Sequence, residues 1–253
     1  MNFTFLGTGT SGGVPSLGCH CAVCESKDPH DKRFRVAGLL ETENSRILID
    51  CGPDIRQQLM PFSFKPLDAV LLTHIHYDHV SGIDDLRPLC VFGPIHIYAD
   101  KLTADILHQT MPYCFADELY PGAPLLDLKS IVPHQLLTIG DVEVQPIQVM
   151  HAKLPILGYR FGTFAYITDM KSIDEAEFRY LDGVETLVVN ALRYEPVHHS
   201  HMTVDEAIAF SCKVGAKRTY FIHMSHDIGF HAEINKQLPE GFSLAYDGLQ
   251  IEV

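Results

Sequence analysis

Three histidines and one aspartate lie within six residues of one another in the segment Thr73-His74-Ile75-His76-Tyr77-Asp78-His79. The segment directly follows residues 68–72, a short apolar run typical of a buried strand. Side chains in a loop at the end of a strand can converge on one point, and imidazoles together with a carboxylate suit Zn, Mn, Fe or Ni. The pattern His-x-His-x-Asp-His therefore predicts a metal site.

Further candidate ligands stand at the ends of three other predicted strands. His151 follows the run 142–149, Asp169 follows 164–168 and His223 follows 218–222. If the carboxyl ends of these strands lie on one side, the side chains meet at one sheet edge, where α/β sheets commonly bind ligands. With the four residues of the loop they make seven donors, five histidines and two aspartates, which fit two metal ions better than one.

A second metal signal is the segment Gly18-Cys19-His20-Cys21-Ala22-Val23-Cys24, which places three cysteines within six residues. In a chain that shows no export signal, such a cluster predicts a metal site rather than a disulfide. Three thiolates need a fourth ligand to complete a tetrahedral zinc site, and His20, His30 and His226 are the candidates. The other cysteines are predicted to be buried as small apolar residues: Cys51, Cys90, Cys114 and Cys212.

Short apolar runs and longer helical patterns must position these residues. The predicted strands are Phe3–Leu6, Ala37–Glu41, Arg46–Asp50, Asp68–Leu72, Ile95–Tyr98, Val142–Val149, Leu157–Phe161, Phe164–Thr168, Thr186–Val189, Arg218–Ile222, Ser243–Ala245 and Leu249–Val253. The predicted helices are Pro53–Met60, Val80–Leu89, Lys101–Thr110, Ser172–Tyr180, Thr203–Cys212 and Ile228–Gln237. Strands come first and then alternate with helices, which predicts sheets covered by helices on their outer faces.

Two short segments carry signals for local structure. In Thr203-Val204-Asp205-Glu206 a threonine is followed three residues later by a glutamate, which predicts a capping box at the start of a helix. Tyr246-Asp247-Gly248 stands between the last two predicted strands and predicts that they form a hairpin.

The motif Thr-His-Ile-His-Tyr-Asp-His, the preceding Ile49-Asp50-Cys51-Gly52 and the later His, Asp and His resemble the metallo-β-lactamase superfamily. The resemblance spans Phe3–His226 and implies one α/β domain over residues 1–253, a four-layer αββα sandwich with a dinuclear metal site along one edge. The implied ligands are His74, His76 and His151 for one metal, Asp78, His79 and His223 for the other, and Asp169 as the bridge. Asp50 would orient a ligand histidine through that histidine's other ring nitrogen.

The N-terminal segment narrows this resemblance. Thr8-Gly9-Thr10-Ser11-Gly12-Gly13-Val14-Pro15 and the cysteine cluster after it resemble the opening of the PhnP-type phosphodiesterases. That group carries a structural zinc held by three cysteines and by a histidine shortly beyond an active-site histidine. Here His223-Met224-Ser225-His226 matches that pattern, so the resemblance implies Cys19, Cys21, Cys24 and His226 as the zinc ligands.

The PhnP-like resemblance implies a phosphodiesterase that hydrolyses small cyclic phosphodiesters such as 5-phosphoribosyl 1,2-cyclic phosphate. Two divalent metals, Zn or Mn with Ni or Fe as alternatives, would hold a bridging hydroxide that is nucleophilic at neutral pH. We assign catalytic roles to Asp78, which is also an implied ligand, and to His201, which would donate a proton to the leaving alkoxide. His198 and His199 are expected to be bystanders.

Composition argues against an extended nucleic acid as the partner. The 253 residues carry a net charge of −13, which opposes the broad grip on nucleic acid that Lys and Arg provide. A small phosphorylated substrate is compatible with that charge, because bound metal ions reverse the local field. No apolar run approaches the ~18 residues of a bilayer span, and the chain begins like a strand rather than a signal peptide. We expect a cytoplasmic protein without a membrane partner, with a homodimer as an open alternative to a monomer.

Three other interpretations stay open. One is a hydrolase of another ester, and a second is an iron-dependent redox protein of the PqqB kind, which metal identity would distinguish. The third is a metal-stabilised binding protein without catalysis. A purely structural site needs only one metal and no open coordination position, so seven intact ligand positions argue against the third interpretation.

Overall fold

The computed structural model describes residues 1–116, 118 and 120–253, and its strands form two seven-stranded sheets. The strands of the first sheet are β1 (Asn2–Gly7), β2 (Ala37–Glu41), β3 (Arg46–Ile49), β4 (Ala69–Leu71), β5 (Ile95–Ala99), β6 (Leu126–Ser130) and β14 (Gln250–Glu252). Their order in the sheet is β14-β1-β2-β3-β4-β5-β6. The strands from β3 to β6 run parallel, whereas β1 is antiparallel to both of its neighbours.

The second sheet is built from the later half of the chain. Its strands are β7 (Leu137–Ile139), β8 (Val142–His151), β9 (Leu154–Phe161), β10 (Phe164–Ile167), β11 (Thr186–Asn190), β12 (Arg218–Ile222) and β13 (Phe242–Leu244). Their order is β13-β12-β11-β10-β9-β8-β7. The strands from β10 to β13 are parallel, and β7 to β10 are antiparallel neighbours.

Helices cover the outer faces of both sheets. The helices are α1 (Ala22–Glu25), α2 (Ile55–Leu59), α3 (Tyr77–Val80), α4 (Lys101–Thr110), α5 (Val204–Val214) and α6 (His231–Gln237). Ile55 of α2 and Leu107 of α4 pack on the first sheet, and Val204 and Phe210 of α5 pack on the second. This layering confirms the αββα sandwich. None of the helices in the described part of the chain has the length and apolarity that crossing a membrane requires.

Aromatic side chains fill the space between the sheets. Phe3 of the first sheet lies with its ring centroid 4.9 Å from that of Phe164 in the second, and Tyr159, Phe161 and Tyr166 extend the same buried cluster. Because helices bury the opposite face of each sheet as well, the inner strands are apolar at nearly every position. That double burial is why the strands could be found as short continuous apolar runs.

The strand directions bring the chemically active residues to one edge. Asp50 follows β3 and the histidine-rich loop follows β4, so both stand at carboxyl ends of neighbouring parallel strands. Asp169 follows β10 and His223 follows β12 in the second sheet. This arrangement agrees with the sequence-based expectation that the candidate ligands share one sheet edge.

The predicted C-terminal hairpin is wrong. Strand β13 pairs with β12, whereas β14 pairs with β1 and places Ile251 opposite Phe3. Strands β13 and β14 therefore belong to different sheets. The turn between them is drawn to the first sheet, because the Asp247 carboxylate accepts hydrogen bonds from the Phe34 amide (2.6 Å) and from the Thr8 hydroxyl (2.8 Å). The segment Tyr246-Asp247-Gly248 therefore crosses between sheets instead of reversing within one.

Other elements differ from the prediction in smaller ways. Strands β6 and β7 were not predicted; β6 is a half-exposed edge strand, and both lie at sheet edges. The helix predicted over Val80–Leu89 is instead α3 followed by a 3₁₀ segment, Ile83–Phe92, which contains Pro88. Ser172–Tyr180 is a 3₁₀ segment only over Glu175–Tyr180. The helix Lys101–Thr110 and the capping box of Thr203 and Glu206 are confirmed.

Candidate metal centre and active site

Asp50 and Thr73 orient two histidines of the loop that follows β4. The Thr73 hydroxyl and amide both donate to the Asp50 carboxylate, at 3.0 and 2.9 Å. Because the Thr73 hydroxyl proton takes part in that bond, the Thr73 oxygen can only accept from His74. The Nδ1–H of His74 therefore donates to it at 3.0 Å. His79 donates its Nδ1–H to Asp50 Oδ2 at 2.7 Å. In both rings the lone pair is left on Nε2, the atom that can bind a metal.

Backbone carbonyls orient His151 in the same way. Its Nδ1 lies 2.7 Å from the Asp169 carbonyl oxygen and 3.0 Å from that of Ser200, so this nitrogen carries the proton. The Nε2 atom of His151 therefore also presents a lone pair. Fixing the tautomer through the far ring nitrogen is how proteins prepare histidines for metal binding.

The seven predicted ligands converge in two groups that share one carboxylate. The first group is His74, His76, His151 and Asp169, and the second is Asp78, His79, Asp169 and His223. Within each group the candidate ligand atoms lie within 4.8 Å of one another. All of these residues are buried except His76, which is exposed. Asp169 is the member common to both groups, the place that the resemblance implies for a bridging ligand.

Distances around Asp169 and Asp78 fit donors that surround a cation. His79 Nε2 lies 3.2 Å from Asp78 Oδ2 and 3.4 Å from Asp169 Oδ1, and His223 Nε2 lies 3.2 Å from Asp169 Oδ2. Tetrahedral ligands about 2.1 Å from one ion stand about 3.4 Å apart. Within the described residues, the Nε2 atoms of His74, His79 and His223 are buried without a hydrogen-bond partner. Buried polar atoms without partners are costly, so the donor set fits bound metal ions.

The charges of the centre also call for cations. Burial alone would raise the pKa of Asp169, but the neighbouring His223 and His79 outweigh it and hold this pKa well below its usual range. Burial opposes protonation of His79, yet Asp50 and Asp169 hold the pKa of His79 well above its usual value. Three buried carboxylates, those of Asp50, Asp78 and Asp169, give the centre its negative charge. Two divalent cations would balance that excess of negative charge.

Backbone conformation at the strand ends is unusual. Asp50, Asp169 and His223 have φ values of 61°, 56° and 55°, in the left-handed region that residues other than glycine seldom adopt. Such residues cost about 1–3 kcal/mol each and cluster at functional sites. Gly52 serves the same loop through close contact, because a Cβ there would lie 2.0 Å from the carbonyl oxygen of Asp78.

His201 lies against the candidate ligands. Its Nδ1 is 3.8 Å from Asp169 Oδ2, and its ring stacks on that of His223 with centroids 4.6 Å apart. Burial and the neighbouring His223 lower the pKa of His201 to about 2. The imidazole is therefore neutral at neutral pH in the free protein, so a role as proton donor requires additional negative charge beside it.

That His198 and His199 are bystanders stays a prediction, although the structure places His198 against His201. The His198 ring stacks on His201, with centroids 5.0 Å apart and planes inclined by 28°. The Ser200 amide donates to His198 Nδ1 at 3.3 Å, so the segment that leads into α5 holds the His198 ring in place. His199 is exposed and contacts His198. The segment His198-His199-Ser200-His201 contains no residue pattern that shows which of its three histidines lie together in the fold.

The cysteine cluster closes with His226. The donor atoms of Cys19, Cys21, Cys24 and His226 form one group, with Cys21 Sγ 3.3 Å and Cys19 Sγ 3.9 Å from His226 Nδ1. A hydrogen bond from the Cys24 amide leads the effects that lower the pKa of Cys21 to about 6, which favours the thiolate. Burial raises the pKa of Cys24 to about 11.

The other candidates for the fourth ligand point elsewhere. His20 is exposed and lies 3.1 Å from Glu25, and His30 lies 3.0 Å from Asp28. Of the four remaining cysteines, Cys51 and Cys114 are buried as predicted. Cys212 is exposed, contrary to the prediction, because α5 buries Val204, Ala207, Phe210 and Ser211 and turns residue 212 to solvent. Cys90 is half-buried.

Two positioning residues escaped the sequence analysis. The buried Asn190 at the end of β11 binds both backbone groups of Met170, the residue after Asp169. Ser200 contributes its backbone to His151 and His198. Both act on backbone atoms, and such contacts have no residue spacing that a single sequence could reveal.

Comparison with protein families agrees with this geometry. Residues 45–224, more than half of the chain, match the model of the beta-lactamase superfamily domain. A crystal structure of a new diphosphatase from the PhnP family superposes with a TM-score of 0.91 at 39% identity, covering 99% of this chain and 96% of that one. The short form of human tRNase Z shares the fold with a TM-score of 0.74 at 22% identity, over 100% of this chain and 99% of that one.

Two curated relatives differ in how much of them is matched. An octanoyltransferase of Porphyromonas gingivalis is 44% identical over 251 residues, which is 99% of this chain but 51% of that protein. A coenzyme PQQ synthesis protein B of Methylorubrum extorquens is 33% identical over 299 aligned residues and is matched over the full length of both. The chain thus spans about half of the first relative. The family model and the PhnP-family structure confirm the resemblance argued from the motifs.

Proposed function

We propose that this chain, which belongs to the beta-lactamase superfamily, is a hydrolase that uses two divalent metals to cleave small phosphoric diesters. Cyclic phosphodiesters such as 5-phosphoribosyl 1,2-cyclic phosphate are the proposed substrate class. The observation that carries the proposal is the position of Asp169, whose carboxylate belongs to both groups of candidate ligands. The similarity to a PhnP-family diphosphatase supports phosphorus as the reacting centre.

The proposal assigns the metal ligands as the resemblance implies. One ion would be held by His74, His76 and His151, the other would be held by Asp78, His79 and His223, and Asp169 would be shared by the two. Asp50 fixes His79 through the hydrogen bond to Nδ1. When bound, the two ions would supply Lewis-acid chemistry, lowering the pKa of water and neutralising the phosphoryl oxygens. A separate zinc held by Cys19, Cys21, Cys24 and His226 would stabilise the N-terminal segment.

His201 is the proposed proton donor to the leaving oxygen. Its ring is neutral in the free protein because burial lowers its pKa. An anionic phosphoryl group beside the ring favours the protonated form, so binding of the substrate would load the proton that the leaving alkoxide needs. His198 stacks on His201 and limits how that ring can turn. Asp78 acts through its position as a ligand beside the reacting centre.

The proposed substrate is small rather than an extended nucleic acid. The chain has 32 acidic and 19 basic residues, and phosphate-rich polymers need a basic surface for binding. Local positive charge would come from the bound ions, which act only over the reacting phosphoryl group. This supports a substrate that carries its recognition elements close to the scissile bond.

A second candidate function rests on the PQQ synthesis protein B of Methylorubrum extorquens, which matches this chain from end to end. The same set of imidazoles and carboxylates accepts iron, so a metal-dependent redox reaction would use the same centre. Octanoyl transfer does not follow from the Porphyromonas gingivalis relative, because the chain matches only 51% of that protein.

A substrate panel tests the proposed function. The metal-loaded protein is assayed on bis(p-nitrophenyl) phosphate, a 2′,3′-cyclic nucleotide and a nucleoside diphosphate, with and without a chelator. We expect chelator-sensitive hydrolysis that His76→Ala abolishes and that His108→Ala, a change of an exposed histidine on α4, leaves intact. Hydrolysis of the diphosphate alone would move the assignment from diesters to anhydrides. Dioxygen consumption by an iron-loaded sample without hydrolysis would favour the second candidate.

A further inference from the structure

Asn190 holds the backbone immediately after the candidate bridging carboxylate. Its Oδ1 accepts a hydrogen bond from the Met170 amide at 2.7 Å, and its Nδ2 donates to the Met170 carbonyl at 3.0 Å. Both residues are buried, with exposed fractions of 0% for Asn190 and 1% for Met170. One side chain thus satisfies both polar groups of a buried peptide segment.

The position of this contact in the sheet gives it a particular consequence. Strands β10 and β11 pair in parallel until Ile167 and Val189. Asn190 is the last residue of β11 and lies beyond the last residue of β10 that pairs with this strand. There its side chain, instead of its backbone, makes the hydrogen bonds to the chain that leaves β10. Between Ile167 and Met170 the chain makes the turn that contains Asp169.

Asp169 adopts a conformation that needs support from outside. Its φ of 56° lies in the left-handed region, which residues other than glycine seldom adopt. Its carbonyl oxygen accepts from His151 Nδ1, and its Oδ1 accepts from the Thr168 hydroxyl at 2.7 Å. These contacts come from the residue before Asp169 and from the end of β8, whereas Asn190 restrains the residue after Asp169.

We propose that Asn190 is a positioning residue for the metal pair, because its two hydrogen bonds to Met170 keep the Asp169 carboxylate directed at both ligand groups. The inference rests on the proposed function only for the assignment of Asp169 as the bridge. Without Asn190, the Met170 amide and carbonyl are buried without partners, and the turn regains those bonds only by changing conformation. Asp169 then relaxes toward negative φ, which moves its carboxylate away from the midpoint between the two groups.

The expected effect is on the bridge rather than on every ligand. His74 and His79 are oriented by Thr73 and Asp50, neither of which makes a hydrogen bond to Asn190. When the Asp169 carbonyl moves, His151 Nδ1 still has the Ser200 carbonyl as a partner at 3.0 Å. Each ion therefore keeps its histidines in Asn190→Ala, and the two ions lose their shared carboxylate. Loss of an outer hydrogen bond to a metal ligand typically lowers metal affinity about 10–100-fold.

Manganese provides a readout that is independent of hydrolysis. Two Mn²⁺ ions joined by a bridging ligand are magnetically coupled and give a multiline electron paramagnetic resonance spectrum, whereas separate ions give the spectrum of isolated Mn²⁺. We expect the coupled spectrum for the wild-type protein loaded with Mn²⁺. Asn190→Ala should give mainly the uncoupled spectrum and should bind the second ion at least about tenfold more weakly.

Two further variants separate positioning from general destabilisation. Gln58→Ala removes another buried amide that bonds a backbone carbonyl, that of Arg35 at 2.8 Å, and should keep the coupled spectrum. Asn190→Asp keeps the acceptor for the Met170 amide but loses the donor to the carbonyl, and should fall between wild type and Asn190→Ala. If Asn190→Ala does not fold, the Asn190→Asp spectrum decides the question.

The outcomes distinguish this inference from the proposed function. A folded Asn190→Ala protein with an unchanged coupled spectrum and unchanged Mn²⁺ affinity would overturn the role of Asn190, while hydrolysis by the wild type would be untouched. Equal loss of coupling in Gln58→Ala would also overturn it. A coupled wild-type spectrum that Asn190→Ala abolishes, in a sample that hydrolyses none of the phosphate esters, would support the role of Asn190 and reject the proposed function.

Discussion

Asp50 and His79 form a fully buried hydrogen bond of 2.7 Å between residues 29 positions apart in the sequence. The carboxylate accepts a hydrogen bond from the imidazole Nδ1–H. The lone pair of the ring is therefore on Nε2, which faces Asp78 and Asp169 and could bind a metal ion. Because Asp50 also receives the amide and hydroxyl of Thr73, it joins the end of β3 to the loop after β4. The orientation of the second ligand group therefore depends on a residue that is not itself a ligand.

Asp50→Asn is the change that tests this relationship. Asparagine keeps the size of the side chain, but an amide that accepts from His79 through its oxygen turns its NH₂ group toward the Thr73 donors. We expect metal affinity at the second group to fall about 10–100-fold, with turnover falling accordingly at limiting metal. Titration of the metal-depleted protein with Zn²⁺ or Mn²⁺ measures this, and affinity equal to that of wild type would show that Asp50 does not orient the ligand.

His201→Ala should slow hydrolysis without changing metal content. Removal of a general acid costs about 10²–10⁴-fold for a poor leaving group such as an alkyl alkoxide. The loss should be much smaller for p-nitrophenolate, which leaves without a proton. Turnover of both ester types by the variant and by wild type gives the comparison. Equal slowing of the two would indicate a role in binding, and wild-type rates on the alkyl ester would exclude the acid role.

Cys21→Ser should remove about one zinc per chain and lower stability. The Cys21 thiol has a pKa lowered to about 6, chiefly by the hydrogen bond from the Cys24 amide, and is suited to bind zinc as a thiolate. Loss of a structural metal is among the few single changes that cost several kcal/mol, and about 3 kcal/mol corresponds to about 10 °C in Tm. Elemental analysis and thermal unfolding measure both effects. Cys212→Ser, at an exposed position on α5, is the matched control and should change neither.

Stability should depend on pH through Asp247. Burial raises the pKa of Asp247 to about 7 against an ordinary value of 3.8, despite the hydrogen bonds from Phe34 and Thr8 and the nearby Arg33. The folded protein therefore keeps this proton to a higher pH than the unfolded chain. The stability contributed by the protonated carboxyl is complete below the unfolded pKa and is lost as the pH rises through about 7.

Asp247→Asn isolates that contribution. The difference in free energy of unfolding between wild type and Asp247→Asn should shift by about 1 kcal/mol against wild type between about pH 5 and about pH 8, a value reduced for the partial exposure of the side chain. Chemical denaturation of both proteins across this range gives the difference. A difference that does not change with pH would mean that the carboxyl is ionised in the folded protein throughout.

Features that depend on a local sequence pattern could be predicted, whereas features that depend on contacts between distant residues could not. The candidate ligands His74, His76, Asp78 and His79 could be predicted because they are close together in the sequence and directly follow an apolar run that is typical of a buried strand. The relation of β14 to β1 could not be found, because a turn sequence is local and Asp247 is drawn to Phe34 and Thr8 from distant parts of the chain.

Side chains that bind backbone atoms of distant residues could not be predicted for a different reason. Asn190 directly follows the predicted strand Thr186–Val189, and only the folded chain places Met170 opposite its amide. The choice of His201 rather than His198 as the proton donor rested on the resemblance, since a run of histidines before a helix does not show which rings stack. In contrast, the choice of His226 over His20 as the fourth zinc ligand followed from the resemblance, and the position of His226 beside Cys21 agrees with it.

The number of metal ions per chain tests the central claim most directly. Native mass spectrometry and elemental analysis of the wild-type protein should give about three ions, one in the cysteine cluster and two in the group centred on Asp169. Asp169→Asn should retain the zinc of the cysteine cluster, lose at least one of the other two ions and lose hydrolysis with it. One ion per chain in the wild type, or full occupancy and activity in Asp169→Asn, would contradict a metal pair bridged by this carboxylate.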